Sequence, residues 1–111
     1  GPAHLEHITI VYYADDERVT IVTADKGSYN TATNDADLQG NVLVQTSDGA
    51  TLSTDALRWS QQSELLTGQG DVKITRNDSI VEGSGFELSP EAETITLFKV
   101  SGILRRGEMN P

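Results

Sequence analysis

The clearest structural signal in the chain is the segment NVLVQTSDGATLSTDALRW, residues 41–59. Apolar and polar residues alternate from Val42 to Thr46, and this period of two indicates a half-buried β-strand. The triplet Ser47-Asp48-Gly49 then supplies residue types that form tight turns between antiparallel strands. Apolar residues return in the second half of the segment, which ends at Trp59. The segment therefore predicts one β-turn-β unit.

The same pattern occurs twice more, once before this segment and once after it. One copy turns at residues 14–17 and the other at Asn77-Asp78, and each turn separates two alternating runs. Self-similarity at a fixed period is typical of stacked supersecondary units, which bury their apolar faces against one another. Landmark residues recur about every 30 positions, as in the pairs Asp25 and Asp55, Tyr29 and Trp59, and Gly40 and Gly70.

These repeats predict a single all-β domain over residues 4–106, either as two packed sheets or as one folded-over antiparallel sheet. Residues 1–3 and 107–111 are predicted tails, and Gly1-Pro2 resembles a cleavage scar left by recombinant expression. The apolar parity changes between Leu52 and Leu57, which predicts a β-bulge near Thr54, and the glycines at 83 and 85 suggest another. Ten apolar residues are predicted to face the interior: Val42, Val44, Leu57, Trp59, Val72, Ile74, Phe86, Leu88, Ile95 and Leu97.

Composition excludes several classes of function. The chain has 8 Lys and Arg against 17 Asp and Glu, a formal net charge of −9. Nucleic acid is therefore not an expected partner, because binding to phosphates needs a basic surface. The absence of cysteine rules out disulfides, thiolate metal sites and cysteine nucleophiles.

Motifs for catalysis are weak throughout the chain. His4 and His7 have the spacing of a metal pair but are better explained as surface residues of an edge strand or tail, and Asp15-Asp16-Glu17 as a charged turn. The glycine pairs lack the third glycine of a nucleotide-binding fingerprint. We therefore predict a non-enzyme without metal or cofactor. A glycan-processing enzyme that uses surface carboxylates remains the enzymatic alternative, because 17 acidic residues always offer some pair.

Several segments, taken in order, resemble the LptC family of lipopolysaccharide-export proteins. Residues 24–30 (ADKGSYN), 38–42 (LQGNV) and 54–59 (TDALRW) resemble consecutive repeats of that family. Gly85-Phe86-Glu87 and the run from Val100 to Leu104 resemble its closing segment. The resemblance extends over about residues 8–105 and implies a twisted, open β-jellyroll with an apolar groove.

The resemblance also implies a function and a location. Such a protein binds the acyl chains of lipid A in its groove, which the ten interior residues would line. It passes lipopolysaccharide from an inner-membrane ABC transporter complex (LptBFG-like) to a periplasmic bridge protein (LptA-like). It lies at the periplasmic face of the inner membrane, held by one N-terminal anchor that would precede residue 3. The anchor is thus expected to be missing from this sequence.

The first and last strands are the expected contact edges, since unpaired edge strands invite strand addition by a partner. By the resemblance, the N-terminal edge meets the transporter and the C-terminal edge meets the bridge. Two other non-enzymatic readings stay open: a bridge module of the LptA (OstA-like) type, and a structural or adhesive β-repeat protein that binds only protein. The predicted edge residues are Ile8, Ile10 and Tyr12 on the first strand, and Val100, Gly102 and Leu104 on the last.

Overall fold

The computed structural model describes residues 3–105, and this part of the chain is all-β. The predicted scar at Gly1-Pro2 and the predicted C-terminal tail at 107–111 lie outside the described residues. The strands are β1 (Ala3–Tyr13), β2 (Val19–Asn30), β3 (Asp35–Thr46), β4 (Thr51–Ser60), β5 (Leu65–Arg76), β6 (Ser79–Ser89) and β7 (Thr94–Arg105).

All seven strands form one open antiparallel sheet in which every strand pairs with its neighbours in sequence, in the order β1 to β7. The strands β1 and β7 are its two edges. The three predicted β-turn-β units correspond to the hairpins β1–β2, β3–β4 and β5–β6, and β7 adds a further strand. The all-β prediction and the antiparallel arrangement are confirmed.

Each of the six turns contains one residue whose backbone φ lies in the left-handed region. Such a residue lets the chain reverse within a few positions, and glycine and asparagine adopt it at low cost. Three of the turns have glutamate in this left-handed conformation, although glutamate is not a residue type that marks a turn in the sequence. In chain order the residues are Glu17, Asn34, Gly49, Glu64, Asn77 and Glu93.

The pairing register is interrupted near the middle of strands β2 to β7, so the bulges form a line across the sheet. A bulge bends its strand and increases the local twist. One is held by the Thr54 hydroxyl, which donates to the Asp71 carbonyl at 2.7 Å, and another by the Asn41 amide, which donates to the Asp25 carboxylate at 2.8 Å. The predicted bulges near Thr54 and Gly83 are confirmed. The interruptions fall at Thr23/Lys26, Gln39/Val42, Thr54/Arg58, Gly68/Asp71 and Glu82/Gly83.

This line of bulges folds the sheet into two layers. Layer 1 contains the β1–β2, β3–β4 and β5–β6 turns, and layer 2 contains the β2–β3, β4–β5 and β6–β7 turns. In a flat sheet Tyr12 and Trp59 would be roughly 35 Å apart, given three strand spacings and about ten residues along β3. Their ring centroids are 5.7 Å apart. The two layers therefore face each other, as the prediction of a folded-over sheet requires.

The core lies between the layers and draws on strands β1 to β6. Phe86 is fully buried and pairs with Gly68 on β5. A Cβ atom at Gly68 would overlap the Phe86 ring, so this glycine makes room for the largest side chain of the core. Burial of so many aliphatic groups is the main source of the stability of the fold.

Candidate functional site

The inner faces of both layers carry apolar rows that cross the whole sheet. Residues directly opposite each other on neighbouring strands point to the same face, so the pairing register identifies each row. The layer 1 row is Ile10, Val22, Val44, Leu52, Ile74, Val81 and Ile103, and the layer 2 row is Ala3, Tyr29, Ala36, Trp59, Leu66, Leu88 and Ile95.

The ten residues predicted to face the interior lie in this core or against it. Their burial divides them into two groups. The fully buried group is Val42, Val44, Leu57, Val72, Phe86 and Leu88, each at most 4% exposed. The partly buried group, packed against that core, is Trp59, Ile74, Ile95 and Leu97. The set thus forms a closed apolar interior in this conformation, and contact between these residues and lipid stays a prediction.

The layer 1 row becomes uncovered toward the β7 edge. Val44 and Leu52 are almost completely buried in the middle of the sheet, whereas Ile74 and Val81 are half-buried and Ile103 is 67% exposed. Since these residues share one face, the apolar interior continues without interruption to the open edge of the sheet. The edge strand β7 therefore offers an apolar path out of the core.

The β7 edge exposes more large apolar side chains than the sequence indicated. Two predicted edge residues, Val100 and Leu104, are 51% and 45% exposed. Phe98 and Ile103, which were not predicted, are 65% and 67% exposed. Such a cluster on an edge strand is typical of an interaction surface. The apolar content of the segment from Thr94 to Leu104 could have indicated it, because few charges interrupt it.

The β1 edge differs, because its predicted residues point inward. Ile8 is buried, and Ile10 and Tyr12 are half-buried against the core. The exposed large apolar side chains of this strand are instead Leu5, Val11 and Tyr13. Val11 and Tyr13 alternate with the inward residues in one unbroken apolar run, so the run itself signalled a strand with two apolar faces.

A polar cluster joins the two layers at one end of the molecule. The Tyr12 hydroxyl donates to Glu91 Oε1 at 3.1 Å, and Arg18 Nη1 donates to Glu93 Oε2 at 2.7 Å. The Ser47 hydroxyl donates to the same Glu93 oxygen at 3.3 Å. We call Tyr12, Arg18, Ser47, Glu91 and Glu93 the clasp. Its members are up to 79 residues apart in sequence, and no local pattern predicted it.

Burial and the hydrogen bond to Glu91 hold the Tyr12 phenol in its neutral form. Its pKa is raised to about 12, first by burial, then by this hydrogen bond and by the negative charges of Glu64, Glu91 and Asp15. The phenol is therefore a donor over the whole physiological pH range. The Tyr12 hydroxyl is thus the donor in this contact, and Glu91 Oε1 is the acceptor.

Residues considered for catalysis or metal binding do not converge on a site. His4 and His7 lie on the edge strand β1, and both are exposed. Asp16 is held by Arg18 in a surface ion pair of 2.6 Å, which lowers the pKa of that carboxyl. Within residues 3–105, no group of three His, Asp or Glu side chains could hold a metal ion.

Two surface depressions differ in character from the apolar interior. One, of about 690 Å³, lies along the line of bulges and is bordered by Asp55, Asp71, Lys73 and Glu82. Another, of about 700 Å³, lies near the start of β1 and includes His4 and other polar side chains. Both are open and are bordered mainly by polar and charged residues, so neither gives the enclosed apolar shelter that the inner face provides.

Residues 1–104 match the model of the family described as "Lipopolysaccharide-assembly, LptC-related". The chain belongs to the LptC family. No curated protein gives a significant match.

Membership of the LptC family indicates the general process and the cell compartment in which such proteins act. The family functions in lipopolysaccharide transport with the other proteins of the Lpt complex. Its members are associated with the periplasm and the inner membrane, and it is a transport and assembly family and not a known enzyme family. Within residues 3–105, the structure has no helix long and apolar enough to cross a membrane. The resemblance inferred from the short repeated segments is thus confirmed.

Proposed function

We propose that this LptC-family domain holds the acyl chains of lipid A between its two layers and hands lipopolysaccharide from the inner-membrane transporter complex to the periplasmic bridge protein. One observation carries the proposal: the inner apolar row runs from the buried Val44 to the exposed Ile103 without a polar interruption. An acyl chain that follows this row stays against apolar side chains up to the open β7 edge.

An acyl chain needs a continuous apolar surface because exposure of its methylenes to water is unfavourable. Each methylene moved out of water contributes about 0.8 kcal/mol, so an acyl chain of roughly a dozen methylenes needs about 10 kcal/mol of shelter. In the closed conformation Val44, Leu52 and Phe86 supply that shelter to one another. Bound acyl chains would replace these mutual contacts with contacts of the same kind, so the exchange has a small net cost.

The charge distribution indicates where the headgroup lies. The chain carries a net charge of −9, which repels the phosphates of lipid A. Lys73 lies on the outer face of β5, and Arg76 is paired with Asp48 at 3.0 Å. The headgroup therefore stays in water, and we expect affinity for lipopolysaccharide to depend weakly on salt. The binding is passive, and ATP hydrolysis by the transporter drives transfer.

Neighbouring residues on β5 provide a test of the lipid path. Ile74 faces inward and Lys73 faces outward, so a photo-crosslinking phenylalanine at each position samples opposite faces of one strand. With the folded protein and purified lipopolysaccharide, we expect adducts at position 74 and also at Phe86, where the probe resembles the native ring. Adducts at position 73 without adducts at 74 or 86 would disprove the interior lipid site.

The two edges provide a separate test of partner binding. Exposed residues outside the inner apolar rows can be changed with little effect on folding or on the lipid path, so Phe98→Lys with Leu104→Lys should weaken binding to the bridge protein. Val11→Lys with Tyr13→Lys places the same charges on the opposite edge and should weaken binding to the transporter complex. Each pair of substitutions is the control for the other. If both pairs affect the same partner equally, the assigned polarity is wrong.

A further inference from the structure

The closed interior raises the question of how an acyl chain enters. Val44, Leu38, Leu88 and Phe86 are at most 1% exposed, so lipid reaches them only if the two layers move apart. Hydrogen bonds within each layer do not oppose that movement, because both partners move together. Only the contacts that cross between the layers resist it.

The polar contacts across the layers converge on one turn. Among the hydrogen bonds of the described residues, each one that joins layer 1 to layer 2 has Glu91 or Glu93 as a partner. Besides the side-chain contacts of the clasp, Arg18 Nη2 donates to the Glu91 carbonyl at 2.6 Å, and the Asp15 amide donates to the Glu91 carboxylate at 3.1 Å. The adjacent Pro90 is fully buried, which anchors this turn to the core.

We propose that the clasp is a latch that controls the separation of the two layers and therefore the entry of acyl chains. The inference rests on the proposed lipid-binding function and adds its regulation. The latch joins the β6–β7 turn of layer 2 to the β1–β2 and β3–β4 turns of layer 1. When it is released, the two layers move apart about the line of bulges on the opposite side.

The chemistry of the clasp suits repeated opening. Its groups exchange hydrogen bonds with water when they part, so each opening has a moderate net cost. The Arg18 side chain is 35% exposed, which gives water access to the pair, whereas the Glu93 side chain is 9% exposed and stays oriented. Arg76 and Asp48 form a comparable ion pair of 3.0 Å between two turns of layer 1. That pair lies within one layer and is a matched control.

The first measurement reports opening without any lipid. Since the chain contains no cysteine, Val44→Cys introduces a single thiol in the closed core. Arg18→Met in this background should raise the rate of thiol labelling by about tenfold, the effect expected when hydrogen bonds to charged groups are lost. Arg76→Met should leave the rate unchanged. Urea denaturation of each variant separates opening from global unfolding, so labelling is compared after correction for stability.

The second measurement compares lipopolysaccharide loading when a crosslink holds the two layers together and when it does not. A reducible thiol crosslinker joins Ser47→Cys to Glu93→Cys across the layers, and Asp48→Cys to Arg76→Cys within layer 1 as the control. We expect the locked protein to load lipopolysaccharide at least about tenfold more slowly than the control and to recover after reduction. Equal loading of both crosslinked proteins, or equal labelling of the Arg18→Met and Arg76→Met variants, would overturn the latch. If the unlocked protein binds no lipopolysaccharide, the proposed function fails, and thiol labelling alone then decides whether the latch exists.

Discussion

The pairing of Gly68 with Phe86 predicts a strong effect of one methyl group. The substitution Gly68→Ala places a Cβ atom 2.3 Å from the nearest carbon of the Phe86 ring, which is completely buried. Overpacking of this kind costs about 1–3 kcal/mol. For a domain of this size, each kcal/mol lowers Tm by roughly 4–8 °C. We therefore expect Gly68→Ala to lower Tm by about 10 °C.

Gly70 provides a matched control on the same strand. No atom lies within 4 Å of the position that its Cβ would occupy. Gly70→Ala should therefore be neutral or slightly stabilising, because alanine restricts the unfolded chain. The chain contains a single tryptophan, Trp59, whose fluorescence follows unfolding in urea. Equal midpoints for Gly68→Ala and Gly70→Ala would refute the explanation.

A second substitution tests whether the ring itself causes the effect. Phe86→Leu alone should destabilise by about 1–3 kcal/mol, because it leaves a cavity in the core. In the double variant the smaller leucine leaves room for the new methyl group. The double variant should thus be more stable than the sum of the two effects by about 1 kcal/mol or more. Simple additivity would mean that Gly68 is required for another reason.

Two further predictions concern pH and backbone conformation. Because the pKa of Tyr12 is raised to about 12 in the folded protein, the unfolded chain releases this proton first, so stability should fall as pH rises from about 10 to 12. Urea midpoints measured against pH should lose part of this slope in Tyr12→Phe. Gly40→Ala should destabilise by about 1–2 kcal/mol, because φ is 83° there and Asp25 lies 3.0 Å from the added Cβ. Gly102→Ala, which meets no neighbour, should be close to neutral in the same assay.

Much of the fold could be predicted from local patterns in the sequence. Alternation around Val44 and Ile74 identified strands and their inner faces, because each strand has one side against the core. The change of parity between Leu52 and Leu57 located a bulge, because an extra residue shifts every later side chain to the other face. The turns were visible wherever asparagine, aspartate or glycine marked them.

Contacts between distant parts of the chain could not be predicted in this way. Tyr12 and Glu91 meet only because the sheet folds over, and nothing around either residue indicates the other. The exposure of Ile103 has a similar cause, since an apolar residue on a strand is covered or uncovered according to what lies opposite in the other layer. Local periodicity identifies the face of a side chain, whereas only the tertiary arrangement determines whether that face is open.

The strict sequential order of the strands has a consequence for how the chain reaches its native state. Every strand pair joins sequence neighbours through a short turn, so each hairpin closes with a small loss of chain entropy. Hairpins can thus add one after another from any starting point, and the contact order of the sheet itself is low. The meeting of the β6–β7 turn with Arg18 and Ser47 is the step of high sequence separation, so it should form after the sheet. If the clasp is a latch, the contact that completes folding is also the one that the folded protein breaks each time its layers separate.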